Sequence, residues 1–303
     1  MNNKVVIIGC GNVGLSCAYA LINGNSNVDS LVLIDIKREK LLGEVMDLNH
    51  AIPSTNSNIS VTIGDYSDCK DAKVVVICAG LNQKPGETRL DLMNKNKDLI
   101  KEITNKVMES GFNGIFIVAT NPVDIMSYIV YKESKLSSSK VIGSGTVLDS
   151  SRLKYLLSQK LNISHKNIDA VVVGEHGDSE FIPWSIINIA NTPATELLTK
   201  DEMERLEKTV RNAAYEIINR KGATYYGIGS SLALIINTII NNESKVLTVS
   251  ILDEKNKVYL SVPSIVNKNG VIKSLPLYLT KEEYAKYNNS INVIKENINK
   301  INY

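Results

Sequence analysis

The sequence predicts an α/β chain: a doubly wound parallel sheet first, then an α+β half with antiparallel strands. Two observations carry this. Short unbroken apolar runs recur in the first half, at Val5-Val6-Ile7-Ile8, Leu31-Val32-Leu33-Ile34, Val74-Val75-Val76-Ile77 and Ile115-Phe116-Ile117-Val118, with helix-like segments between them. Runs of this kind mark strands covered on both faces, as in a parallel sheet flanked by helices. In the second half the strand-like runs lengthen, and Asn269-Gly270 stands between two of them as a hairpin turn.

Taken in order, the first strand runs into Gly9-Cys10-Gly11-Asn12-Val13-Gly14, and the spacing predicts a helix over 15–22. The second strand ends at Asp35. The alternation continues to Ile142-Gly143, which divides the chain into a nucleotide-binding domain over 1–142 and a substrate domain over 143–303. Beyond it a helix is expected over 148–161, then a buried strand through Val171-Val172-Val173 that breaks into Gly174-Glu175-His176-Gly177-Asp178. A long helix over 200–220 places Met203, Leu206, Val210, Ala213 and Ile217 on one face. Strands over 246–252, 257–266 and 271–279 follow. The last helix sets Tyr284, Tyr287, Ile291, Ile294, Ile298 and Ile301 at 3/4 spacing, a packing face.

At 303 residues, with 44% hydrophobic and 22% charged residues, the chain has the composition of an ordinary globular protein. A net charge of +2, with both signs interspersed, gives no reason to expect nucleic acid or an anionic membrane as partner. Cys10, Cys17, Cys69 and Cys78 form no CxxC pair and read as free thiols of a reducing compartment. Ala18-Tyr19-Ala20 imitates a leader cleavage site, but the glycines before it belong to another motif. Only six of the 34 basic residues are arginines, so each is a candidate for two-point anion binding.

A GxGxxG alone is weak. Here it follows a strand, opens a helix and has an acid, Asp35, about twenty residues on, at the end of the next strand. Gly9 permits the tight turn, Gly11 the approach of a pyrophosphate, and Gly14 close helix–strand contact. The helix N-terminus faces the phosphates. Asp35 accepts from the adenosine ribose and repels a 2′-phosphate, so the cofactor expected of this Rossmann-type unit is NAD. No metal site is expected.

His176, one of three histidines, sits where a strand opens between glycines, a suitable position for a proton shuttle. Asp149 and Arg152 are three apart at a helix start and share a face. Arg152 suits a carboxylate, and Asp149 suits an imidazole nitrogen; a solvated ion pair explains the same spacing. Asn82-Gln83-Lys84-Pro85-Gly86-Glu87-Thr88-Arg89 is a polar loop at the carboxyl edge of the sheet, able to bring Arg89 over a ligand or to be an ordinary surface loop.

Together these segments resemble the L-lactate/malate dehydrogenase family, essentially from Lys4 to the C-terminus, and its bacterial lactate-specific branch in particular. The resemblance also covers Ala119-Thr120-Asn121-Pro122-Val123-Asp124, Gly145-Thr146-Val147-Leu148-Asp149 and Lys221-Gly222-Ala223-Thr224-Tyr225-Tyr226-Gly227. It implies that His176 is the acid/base, Asp149 its partner, Arg152 the carboxylate clamp and Arg89 the residue that polarises the carbonyl. It implies that Asn121 holds nicotinamide and substrate, and that Thr224 lines the pocket. Asn12, Val13, Ala79 and Gly80 would join Gly9, Gly11, Gly14 and Asp35 around NAD. The implied reaction reduces pyruvate to L-lactate with NADH, as in glycolytic fermentation in the cytoplasm.

Gln83 separates the branches: malate-specific members generally carry arginine there, and a neutral amide leaves a second substrate carboxylate unpaired. Malate or a broader L-2-hydroxyacid dehydrogenase is the alternative. A non-catalytic relative that kept the fold would be expected to have lost His176, Asp149, Arg89 or Arg152, and all four are present. Many bacterial members bind fructose 1,6-bisphosphate through an arginine and a histidine whose positions are Lys154 and Asp169 here. The carboxylate repels phosphate, so activation is not expected. A homotetramer is the assembly implied, with a dimer as the other option. The first strand begins close to Met1, so the long N-terminal arm of vertebrate relatives is not expected.

Overall fold

In the computed structural model, which describes residues 3–24, 26–81 and 89–303 (Arg89 as backbone only), the chain begins as a regular alternation. It runs β1 (Lys4–Ile8), α1 (Asn12–Asn23), β2 (Ser30–Ile34), α2 (Arg38–Ala51), β3 (Ser60–Ile63), β4 (Val74–Ile77), α3 (Arg89–Glu109), β5 (Ile115–Val118), α4 (Val123–Ser134) and β6 (Val141–Gly143). There follow α5 (Val147–Leu161), β7 (Ile168–Asp169), β8 (Asn188–Ile189), β9 (Thr192–Pro193), α6 (Ala194–Leu197), α7 (Lys200–Lys221), α8 (Tyr226–Ile240), β10 (Lys245–Asp253), β11 (Val258–Asn267), β12 (Gly270–Ser274) and α9 (Lys281–Lys300).

The parallel strands stand in the order β3-β2-β1-β4-β5-β6, so the winding reverses between β1 and β4. That reversal opens a crevice at the carboxyl ends, where such sheets bind ligands. The central strands are unbroken apolar runs because helices cover both faces: Val74 to Ile77 and Phe116 to Val118 are 0% exposed. The expectation of a parallel sheet followed by antiparallel strands is met, with one addition. β10, β11 and β12 extend the same sheet, β10 reaching β6 through the pairing of Ser250 with Gly143. α8 packs on α1, so the second half also covers the first.

Two expectations are corrected. Residues 171–173 do not form a regular strand; Val173 bridges Phe181 and Gly174 bridges Ser261 as isolated pairs. Hydroxyls replace a neighbouring strand there: Val172 N–H donates to Ser150 Oγ at 2.9 Å, and its carbonyl accepts from Thr146 Oγ1. The last strand stops at Ser274 rather than 279, because Pro276 has no N–H to continue the ladder. An irregular stretch, with the Leu275 N–H still donating to the Pro263 carbonyl at 2.8 Å, leads to Thr280, which caps α9 by accepting from Glu283 N–H while the Glu283 carboxylate accepts from the Thr280 N–H. Thr199 and Glu202 form the same box on α7.

β3, α4, β6 and α8, and the small sheet β7-β8-β9, are additions to the elements read from sequence. The cysteines are free, with Cys10, Cys17 and Cys69 buried and Cys78 half-buried. Among the described residues no helix is long and apolar enough to cross a membrane. Ile117 lies at the centre of the sheet with 0% exposure. Ile117→Ala is expected to lower stability by about 2–5 kcal/mol, read as a lower urea midpoint with an unchanged slope.

Candidate active site

The turn after β1 is shaped by glycine. Gly9 has φ +93°, and a Cβ there would meet the backbone nitrogen of Ala79 at 2.3 Å. A Cβ on Gly14 would meet the Gly9 carbonyl at the same distance, so α1 rests directly on the turn. Gly11 is different: it caps α1 in an extended conformation, is exposed, and has nothing within 4 Å of its Cβ direction. Among the described residues no side chain caps α1, so its first N–H groups present a positive end toward that open space. Asn12 and Val13 belong to this first turn, both accessible.

Asp35 braces the same turn, accepting from the Cys10 N–H at 2.8 Å and from the Lys37 N–H at 2.8 Å. Next to it Ile36 is 97% exposed, an open apolar surface among the described residues. Across the crevice Thr120 Oγ1 donates to the Ala79 carbonyl at 2.6 Å. Buried Asn96 joins the loops after β4 and β5, accepting from Leu81 N–H and donating to the Asn121 carbonyl at 3.3 Å. Ala79, Gly80 and Asn121 thus line one edge of the crevice.

Farther along the same edge, Asp149 is in the first turn of α5 and 1% exposed. Its Oδ2 is 2.8 Å from His176 Nδ1, and its Oδ1 accepts from Arg152 Nη1 at 2.7 Å. One carboxylate therefore serves both partners, where the spacing alone allowed a solvated pair. His176 is delivered by the sharp turn at Gly174, φ +98°. Its backbone N–H is anchored on Asp124 Oδ2 at 2.8 Å, and Ser250 Oγ holds the other Asp124 oxygen. Thr224 lies between α7 and α8, half-buried. Gln83 and the Arg89 side chain lie outside the described residues.

The charges follow from this geometry. Burial pulls the His176 imidazole down, but the Asp149 carboxylate more than offsets it, and the group is pushed up to about 9. Burial pushes Asp149 up, yet His176 and Arg152 together hold it below the ordinary carboxylate range. Asp124 is pushed up to about 7 by burial, against its hydrogen bonds from Ser250 and the His176 backbone. Glu180, 5% exposed, is pushed up to about 8 by burial and by the charge of Asp149. The sequence reading assigned no role to Asp124, Glu180 or Asn96. Asp124 stands in the quoted Asn121-Pro122-Val123-Asp124 run, but its partner is 52 residues away.

A nucleotide-type crevice beside an imidazole with a carboxylate partner and an adjacent guanidinium defines a nicotinamide-dependent dehydrogenase. Family models agree over nearly the whole chain: the lactate/malate dehydrogenase NAD-binding domain matches residues 3–143 and the family's alpha/beta C-terminal domain residues 146–303. The chain belongs to the lactate/malate dehydrogenase family. It is 48% identical to the L-lactate dehydrogenase of Bacillus pumilus and 49% to that of Bacillus velezensis, each match covering 97% of this chain and 96% of the relative. A lactate dehydrogenase from a Medee basin deep-sea metagenome library superposes with TM-score 0.97 at 45% identity, over 100% of this chain and 99% of that one. The ligand-bound minor L-lactate dehydrogenase of Enterococcus mundtii gives 0.96 at 42%, over 98% of each chain.

Gly11 and Gly14 are separable by experiment. Gly11→Ala is expected to keep the wild-type melting temperature and weaken NADH binding at least about tenfold, read by NADH fluorescence. Gly14→Ala is expected to lower both.

Proposed function

We propose that this chain is an NAD-dependent oxidoreductase of the L-lactate dehydrogenase type, which interconverts pyruvate and L-lactate. The observation that carries the reading is the single buried carboxylate of Asp149, bonded at once to His176 and Arg152. Identity of 48% and 49% to two L-lactate dehydrogenases, over 97% of the chain, supports it. The open, uncapped start of α1 fits a dinucleotide pyrophosphate. Asp35 suits the ribose hydroxyls of NAD, and exposed Ile36 offers an apolar surface for the base. When bound, NADH supplies the hydride that reduces the keto carbon.

The protein's own part is charge and position. Asp149 accepts the Nδ1–H of His176, so the proton that leaves is the one on Nε2. His176 gives that proton to the ketone oxygen as negative charge develops there, and its imidazole stays neutral until the reverse reaction or solvent restores the proton. Arg152 carries five N–H donors and uses Nη1 on Asp149, so the rest of its fork is available to the substrate carboxylate. Asn121 and Thr224 are assigned to the substrate pocket, and Arg89 to the polarised carbonyl.

The choice of pyruvate over oxaloacetate rests on Gln83, whose neutral amide gives a second carboxylate no counter-charge. Malate or a broader L-2-hydroxyacid dehydrogenase is the reading it disfavours. Half-buried Lys154 and exposed Asp169 stand at the two family positions for fructose 1,6-bisphosphate, and the acid there argues against activation. A homotetramer in the cytoplasm fits this assignment.

Two tests follow from the chemistry. Pyruvate reduction needs the imidazolium, so its kcat/KM is expected to be flat at neutral pH and to fall as pH rises through about 9, where His176 loses its proton. Lactate oxidation needs the neutral ring and is expected to rise over the same range. Gln83→Arg is expected to raise kcat/KM for oxaloacetate over pyruvate by at least about a hundredfold, in an NADH absorbance assay. Values of kcat/KM for both keto acids unchanged from the wild type would contradict the role given to Gln83.

A further inference from the structure

We infer that Glu180 is a positioning residue of the proton-transfer pair, whose carboxyl group extends the pH range over which His176 keeps the proton it delivers. This rests on the pyruvate-reduction reading above. Glu180 is 5% exposed, and one of its carboxylate oxygens lies within 4.8 Å of both an Asp149 oxygen and an imidazole nitrogen of His176. Nothing in the mechanism described so far uses it. A buried acid in that position is costly unless it holds a proton or faces a cation.

The surroundings show which charges it meets. From α5 it faces Asp149 and Arg152, and from α7 Arg211, whose guanidinium donates to the Glu180 backbone carbonyl at 3.1 Å and pairs with Glu207 at 3.0 Å. From its own loop it faces His176, which is in turn close to Asp124 on α4. Arg152 already occupies Asp149, and His176 holds its proton strongly, so the trio is built to share protons rather than to take a metal cation.

At neutral pH burial keeps Glu180 protonated, and the pair sees a neutral neighbour. Burial pushes Glu180 up to about 8 and Asp149 pushes His176 up to about 9, so Glu180 ionises within the alkaline range over which the imidazole would lose its proton. The new negative charge then stabilises the imidazolium, and the acid form survives to higher pH. Two coupled groups titrate here as a pair, and removing one changes the macroscopic step of the other.

The test compares pH profiles of kcat/KM for pyruvate in the wild type, Glu180→Gln and Glu180→Asp. In Glu180→Gln no charge can appear, so the alkaline limb is expected at lower pH by on the order of one unit. Glu180→Asp, with a shorter but ionisable chain, is expected to shift it less. A mere packing role would lower rates without moving the limb. The proposal is overturned if the limbs of wild type and Glu180→Gln coincide. The proton NMR titration of His176, one of three histidines, gives the same comparison without turnover. Should the wild type leave pyruvate unreduced, the functional reading fails. The inference is then judged on that titration, where an unmoved His176 midpoint in Glu180→Gln overturns it.

Discussion

The Asp149 carboxylate is the constraint around which the site is assembled. It is buried, carries a charge, and is bonded on one oxygen to an imidazole and on the other to a guanidinium. A carboxylate in that setting with only one partner would be strongly destabilising, because desolvation is then incompletely compensated. Both partners are therefore structural as well as chemical. His176 gains a fixed tautomer and a raised proton affinity from the bond, and Arg152 gains an orientation within its own helix.

The fold brings His176 to the Asp149–Arg152 pair on α5 from a segment 27 residues beyond Asp149, and a hydroxyl-rich seam holds the two segments together. Thr146, at the start of α5, donates to the Val172 carbonyl, Ser150 accepts from the Val172 N–H, and Ser261 Oγ accepts from the Thr146 N–H at 3.1 Å. The segment leading to His176 is thus sewn to α5 by side chains, with Gly174 also bridged to Ser261 of β11. Since β10 and β11 continue the nucleotide-binding sheet, the histidine loop and the crevice share one rigid frame. A proton donor and a hydride donor can be kept in register only by such a frame.

Legibility in the sequence followed the range of each interaction. The glycine turn was readable because strand, turn, helix and Asp35 lie within one short unit, and the geometry of Gly9 and Gly14 is local. Unbroken apolar strands were readable because burial on both faces leaves a compositional mark. The link from His176 to Asp149 spans 27 residues and was suggested by residue chemistry and family resemblance, not by any periodicity. Asp124 and Glu180 went unread because a buried acid leaves no pattern; only its long-range partner shows what it does. The strand expected at 171–173 failed for the opposite reason. Its β-branched residues mark burial, but the Val172 backbone is paired with the hydroxyls of Thr146 and Ser150, and only Val173 meets another backbone, at Phe181.

Asp149 fixes the tautomer of His176 and holds its proton to high pH. Nitrogen-15 NMR of histidine-labelled protein, followed across pH, tests it most directly. Nδ1 is expected to stay protonated throughout while Nε2 loses its proton near 9. A ring that titrates near the ordinary value of about 6.5, or a neutral form with its hydrogen on Nε2, would contradict it.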